Sequence, residues 1–300
     1  MSGLCEGRVC IVTGAGRGIG REHALLLAAE GAKVVVNDLG GAADGEGAST
    51  GPAQQVVDEI VAAGGEAVAN TDDISDWGGA EKLVGQAIDV FGRLDVLINN
   101  AGILRDRMLA NMSEAEWDSV IKVHLKGTAG PSHFAAAHWR ERSKAGEQND
   151  ARIINTTSPS GIYGNIGQTN YGAAKAGIAS FTIIAADELA RYGVTVNAIA
   201  PGALTRLTAG LSMKEASDEQ KEAMSPAWVA PVVAWLASTE SSAVTGRVFD
   251  VMSTTLAVAE GWHRGPTVTN TKDPSAIGPL MEELMGQARP NADMLGADRT

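Results

Sequence analysis

The chain is short of aromatic residues, cysteine, basic charge and long apolar runs, and each shortage narrows what it can do. Aromatics make up 4% of the 300 residues, with three tyrosines among them. Cys5 and Cys10 are the two cysteines, too few for a disulfide scaffold. Cys10 has apolar neighbours in an expected strand and reads as a buried small hydrophobe. Lys and Arg total 24 against 36 Asp and Glu, a formal charge of -12, which argues against a nucleic-acid or anionic-membrane surface. No apolar run approaches the roughly 20 residues of a membrane-spanning helix, and the N-terminus carries no signal-peptide pattern. A cytoplasmic protein with neither nucleic acid nor membrane as partner is expected. No metal-ligand set is singled out.

What is present is a regular alternation. The hydrophobic content is 44% and the charged content 20%, as in an ordinary globular protein. Strands are predicted over Arg8–Thr13, Lys33–Asp38, Glu66–Asn70, Asp95–Asn99, Arg152–Thr157, Val194–Ala200 and Arg247–Val251. Helices are predicted between them, over Gly18–Glu30, Gln54–Ala63 and Asp76–Phe91, then in a long helix with Ser113 as N-cap and Glu116 at the capping-box position. The Val-rich second strand fits burial on both faces of a parallel sheet. About seven strands in strict alternation with helices predict an α/β, Rossmann-type doubly wound parallel sheet with helices on both faces. Gly40–Pro52 and Lys144–Asp150 read as loops. One domain over 1–264 is expected, followed by a tail over 265–300 with a short helix around Leu280–Met285. That tail reads as a lid, an inter-subunit arm or a poorly ordered segment.

Two stretches carry chemistry. Thr13–Gly20, with Gly14, Gly16, Gly18 and Gly20, joins the first strand to the first helix; its glycines permit a tight turn and leave helix N–H groups facing an anion. Asp38 ends the second strand about 20 residues on, which completes a dinucleotide fingerprint. A carboxylate there accepts the ribose hydroxyls of NAD and repels a 2′-phosphate. Unit charges at about 4 Å and an effective dielectric near 20 repel by about 4 kcal/mol. Arg17 pulls the other way, as a single screened cation in the turn, and NAD is the expected cofactor. The second stretch is Asn170–Lys175, where Tyr171 and Lys175 stand four apart on one helix face, with Ser158 thirteen residues before Tyr171. A lysine so placed can acidify the phenol, but alone the pair is weak evidence.

With Thr13–Gly20, Asn99-Asn100-Ala101-Gly102 and Ser158/Tyr171/Lys175 in order, residues 6 to about 264 resemble the short-chain dehydrogenase/reductase family. The resemblance implies hydride transfer between NAD(P) and a carbinol or carbonyl carbon. It also implies that Gly14, Arg17, Gly18, Ile19, Asp38, Asn100, Ala101, Gly102, Tyr171 and Lys175 bind cofactor. Asp73-Ile74 look like the adenine-contacting pair, and Pro201-Gly202, with Leu204 close behind, like the nicotinamide-facing turn. Val36–Gly41, Ile103–Arg107, Val123–Gly127 and Ser160–Asn165 are similar to the dehydrogenase part of peroxisomal multifunctional enzyme type 2. That branch oxidises (3R)-hydroxyacyl-CoA and is also named a 17β-hydroxysteroid dehydrogenase. No counterpart of its hydratase and sterol-carrier parts precedes Thr300, and no Ser-Lys-Leu signal ends the chain. A free-standing, bacterial-type homodimer or homotetramer is therefore expected.

Two departures from the family pattern stand out. His124 replaces its usual Asn and reads as structural more readily than catalytic, and Asp250–Ser253 replace its Asp-Gly-Gly strand ending. The expected reaction is NAD-dependent oxidation of a secondary alcohol, foremost a 3-hydroxyacyl-CoA. Tyr171 is the general base, Lys175 binds the nicotinamide ribose, and Ser158 holds the substrate oxygen. A 17β-hydroxysteroid dehydrogenase and a 3-oxoacyl thioester reductase are the rivals, and a non-catalytic dinucleotide scaffold is remote. Arg105, Arg107 and Lys126 are possible CoA-phosphate contacts or plain surface charge, and Tyr163 lines the pocket or packs. Leu207, Leu211 and Met213 fall in a stretch that the resemblance makes a mobile lid over an acyl chain or steroid, and helix packing explains the same pattern.

Overall fold

A computed structural model describes residues 3–41, 47, 51–203, 217, 222 and 224–299. Eight strands form one sheet: β1 (Val9–Thr13), β2 (Lys33–Asn37), β3 (Glu66–Asn70), β4 (Val96–Asn99), β5 (Ala151–Thr156), β6 (Val194–Gly202), β7 (Val248–Met252) and β8 (Thr255–Ala259). Their order is β3-β2-β1-β4-β5-β6-β7-β8. All neighbours run parallel except β7 and β8, whose pairing is antiparallel with Met252 opposite Thr255. The expected sheet of about seven strands thus gains an eighth at its edge.

Consecutive strand residues point to opposite faces, and the apolar runs divide accordingly. Val12, Val34, Ile98, Ile154 and Ile199 meet Leu27 of α1 (Gly18–Ala29), Val56 and Ile60 of α2 (Gly51–Ala62), and Val233 and Leu236 of α8 (Ala230–Ala237). Their neighbours Ile11, Val35, Leu97 and Ile153 face Leu83 of α3 (Trp77–Phe91), Trp139 of α5 (Gly127–Lys144) and Ala186 of α7 (Thr169–Leu189). Burial on both faces is why these strands read as continuous apolar runs rather than alternating ones.

The predicted long helix starts at Ser113, whose side chain and that of Glu116 make the reciprocal capping box. It is not one continuous α-helix. α4 (Glu114–Ile121) passes through a π-helical turn, Lys122–Lys126, before α5 begins. A short α6 (Pro159–Ile162) follows β5, capped by Ser158. The tail forms α9 (Ile277–Gln287), longer than expected, and its last turn folds back so that Arg299 Nη2 donates to Tyr163 O at 2.7 Å.

The sheet centre is pinned by buried amides. Asn99 Nδ2 donates to Ser132 Oγ at 3.0 Å and to Asn155 Oδ1 at 2.9 Å, and Asn155 Nδ2 donates to Thr182 Oγ1 at 2.9 Å. Paired polar groups here fix the heights of β4, β5, α5 and α7 relative to one another. Strand order reverses between β1 and β4, the place where doubly wound sheets open a crevice at their C-terminal edge.

Candidate active site

That crevice is a cleft of about 250 Å³ between the Gly-rich turn and α7. At one end Gly14 has φ +63°, and a Cβ there would sit 2.7 Å from Ala101 Cα, so only glycine lets the turn lie against the strand-four segment. Asn100 closes the contact. Its backbone N–H donates to Thr13 Oγ1 at 2.9 Å, and its amide donates to Thr13 O at 2.9 Å and Gly14 O at 3.1 Å. Gly18, Ile19, Ala101 and Gly102 line the same wall.

Asp38 lies at the end of β2, where Oδ2 accepts Gly16 N–H at 2.8 Å and Oδ1 accepts Gly40 N–H at 2.7 Å. Both oxygens keep a second lone pair for further donors. Arg17 also lines the cleft, and its Nη1 donates to Gly41 O at 3.3 Å. Asp73 and Ile74 form the next part of the wall, with Asp73 turned to Ser75 at 2.9 Å and to Lys122 at 3.8 Å. This half of the cleft fits a dinucleotide: a glycine cradle with no space for side chains, helix N–H groups at its base, and a carboxylate for ribose hydroxyls.

The other end holds Tyr171, Lys175 and Pro201. Gly202 lies beside Pro201, pressed against Met252, and Ser158 stands next to Tyr171. Leu204, Leu207, Leu211 and Met213 lie outside the described residues. Asn170 fixes the start of α7, donating to Arg105 O at 3.0 Å and Glu116 O at 3.1 Å while accepting the Tyr171 N–H at 2.7 Å. Gly161 meets the Lys175 backbone so closely that a Cβ would stand 2.6 Å from Lys175 Cβ, which draws the Ser158 turn onto α7. Lys175 Nζ donates to Thr156 O at 2.6 Å and lies 5.5 Å from the centre of the Tyr171 ring.

Burial governs the titration of this pair. It pushes the Tyr171 phenol up to about 12, opposed by a hydrogen bond with Ser158 and reinforced by the Asp106 carboxylate. It also pulls the Lys175 ammonium down to about 7. Desolvation is thus the largest influence on the phenol within the chain itself.

Several cleft residues were not foreseen from the sequence. Asn37, Asp72, Leu104, Val123 and Thr156 line it beside the expected ones. Asn37 had a signal, as the strand-end neighbour of Asp38; Val123 had none, because the π-turn that turns it inward is invisible to residue spacing. His124 lies in that turn. Its Nε2 is 2.8 Å from Ile103 O, and its ring stands edge-on to Tyr171 with centres 5.1 Å apart. Burial, then the Lys175 charge, lower it to about 3, so it is neutral at physiological pH. Tyr163 faces away from the cleft wall, its hydroxyl donating to Asp250 Oδ2 at 3.2 Å. Arg107 Nε is paired with Glu116 Oε1 at 3.1 Å.

A dinucleotide crevice at the switch point of a doubly wound sheet, with a Ser, a Tyr and a Lys at its far end, defines an oxidoreductase acting on CH–OH groups. Residues 8–219 match the short chain dehydrogenase family, and the chain belongs to that family. It is 51% identical over 231 residues to peroxisomal multifunctional enzyme type 2 of Drosophila melanogaster, covering 77% of this chain and 36% of the fly protein. The chain thus spans about a third of that relative's length. It is 46% identical over 254 residues to a hydroxyacyl-CoA dehydrogenase of Mycobacterium tuberculosis, covering 82% of this chain and 77% of that one. A crystal structure of a short chain dehydrogenase from Mycobacterium avium superposes with a TM-score of 0.88 at 52% identity, covering 99% of this chain and 100% of the other.

Proposed function

We propose that the protein oxidises a secondary alcohol with NAD, most specifically a 3-hydroxyacyl-CoA. The observation that carries this reading is the position of Tyr171 and Lys175 at the end of a cleft whose opposite end presents Asp38, with Ser158 beside Tyr171. NAD, when bound, supplies the hydride acceptor and a positive charge near the phenol. The protein's own residues do the rest. Asp38 offers its free lone pairs to ribose hydroxyls and repels a 2′-phosphate, which favours NAD over NADP. Ser158 orients the substrate oxygen and stabilises the charge that develops on it. Tyr171 takes the hydroxyl proton and is the general base.

Its burden is large: a phenol at about 12 must fall by roughly 5 units to work near pH 7, about 7 kcal/mol. Lys175, buried one turn away, contributes its ammonium charge when protonated and holds the Thr156 carbonyl. His124 packs against the phenol as a neutral spacer.

A second reading follows from the same titration. A phenol at about 12 keeps its proton at neutral pH and can still give it to the more basic alkoxide that forms as hydride reaches a carbonyl, the reverse of the reaction above, so reduction of a 3-oxoacyl thioester at this site is the alternative. The relative from Mycobacterium tuberculosis, named a hydroxyacyl-CoA dehydrogenase, supports the thioester class. The one-domain reading of 1–264, a homodimer or homotetramer and a cytoplasmic setting belong to this proposal. Leu256, Val258 and Trp262, exposed along and beyond the edge strand, support association of copies.

The test follows NADH formation with a (3R)-hydroxyacyl-CoA, its (3S) epimer and a 17β-hydroxysteroid in parallel, with NADP in place of NAD as a further arm. The (3R) thioester with NAD is expected to be fastest. Absence of any rate with that thioester discards the proposed substrate.

A further inference from the structure

Two loops meet beside the phenol and carry a hydrogen-bonded chain that neither the dinucleotide crevice nor the packing of α7 explains. After β4 the backbone runs through Ile103–Arg107, and Arg107 N–H donates to Gly167 O at 2.8 Å, so this loop lies along the turn that leads into α7. Gln168 is buried at the junction. Its Nε2 donates to Asp106 Oδ2 at 2.8 Å, and its Oε1 accepts from Ser160 Oγ at 2.7 Å and Asn165 Nδ2 at 3.0 Å. Ser160 N–H donates to Ser158 Oγ at 3.2 Å, and Ser158 stands beside the Tyr171 phenol. Asp106 Oδ1, the other carboxylate oxygen, is buried with no hydrogen-bond partner among the described residues. A carboxylate only half satisfied by donors keeps its field in a region of low dielectric.

We propose that Asp106 is a positioning residue for the reaction at Tyr171: it orients Gln168, which holds the Ser160–Ser158 turn at the phenol, and it places a carboxylate charge beside that phenol. This rests on Tyr171 being the group that exchanges the substrate proton. Among the described residues, the elements around the phenol carry other charged or titratable groups, Arg105 of the same loop among them. Lys175 lies on the same helix, 5.5 Å from the ring centre. His124 comes from the π-turn and is held neutral by burial. Glu116 of α4 and Arg107 of the loop are paired with each other at 3.1 Å. Asp106 therefore acts against Lys175, favouring the protonated phenol and setting the pH above which Tyr171 serves as a base.

Asp106→Asn removes the charge while keeping an acceptor for Gln168. The pH dependence of kcat/KM for NAD-dependent oxidation of 3-hydroxybutyryl-CoA is measured for this variant and for the unmodified protein, with Tyr171→Phe in parallel. The rising limb is expected to move to lower pH by about half a unit or more, with KM held. Gln168→Met, which keeps the charge and cuts the link, is expected to lower kcat by about tenfold without moving the limb. An unmoved limb in Asp106→Asn, with Tyr171→Phe inactive, overturns the role of Asp106 and leaves that of Tyr171 standing. Near-normal turnover by Tyr171→Phe overturns both.

A direct reading needs no substrate. In a Tyr163→Phe/Tyr192→Phe background Tyr171 is the sole tyrosine, so the phenolate absorbance titrates it alone. Either Asp106→Asn or Asp106→Ser is expected to lower its midpoint, and an unchanged midpoint contradicts the proposal.

Discussion

At the scale of single residues, two kinds of charge placement matter, one in the cleft and one in the core. Asp38 is spread between two backbone N–H groups and keeps lone pairs free, which suits hydroxyl donors. Asp38→Ser should lower the preference for NAD over NADP at least tenfold, about 1.4 kcal/mol, as read from kcat/KM with each cofactor. Buried histidines are the second kind. His23 of α1 is fully enclosed, with neither ring nitrogen hydrogen-bonded among the described residues, and burial lowers it to about 3. The folded state thus refuses a proton that the unfolded chain accepts below about 6.5. The stability this lends is fully present above that pH and is lost as the pH falls from about 6.5 toward 3. The loss approaches about 1.4 kcal/mol per pH unit for each such histidine, His124 being the other. Unfolding midpoints should fall steeply below pH 6, and His23→Leu should flatten that slope.

These residues differ in how far the sequence disclosed them. Asp38, Tyr171 and Lys175 stood out because their spacing matches the geometry of a strand end and a helix face. Asp106 and Gln168 did not, because their link joins residues 62 apart in sequence through two loops that no periodicity describes.

At the scale of elements, the parallel strands were legible because burial on both faces leaves an apolar run. β8 was not. Its Thr255–Ala259 run is exposed, and the hairpin turn before it has Ser253 at φ +53° without the Asn-Gly or Asp-Gly pair that usually announces such a turn. The π-turn at Lys122–Lys126 was equally silent, although it sets Val123 and His124 against the cleft. The Gly-rich turn was legible because each glycine answers a steric demand. At Gly20, Gly14 O and Asn100 Nδ2 occupy the space a Cβ would need. Gly20→Ala should cost about 1–3 kcal/mol of stability by overpacking and weaken NADH binding, seen as a lower unfolding midpoint and a raised Kd in fluorescence titration. An unchanged Kd would show that the turn does not shape the cofactor end of the cleft.

At the scale of the whole molecule, the sheet divides stability from chemistry. Beneath the strands' N-terminal ends, the fully buried Arg152 donates to Ser238 O and Ser241 Oγ, each at 3.1 Å, and pairs with Asp150, which also holds Arg8 at 3.0 Å. At the opposite edge lie the crevice and the Ser158–Tyr171–Lys175 group. This division lets charge be buried for structure at one end, away from the end at which proton transfer is proposed. The central claim is that Tyr171 exchanges the substrate proton, and Tyr171→Phe tests it most directly because the ring and its packing against His124 are retained. NADH binding measured by fluorescence should be preserved within about twofold, while kcat for alcohol oxidation drops by about a hundredfold or more. Near-normal kcat in a variant that still binds NADH would contradict the account.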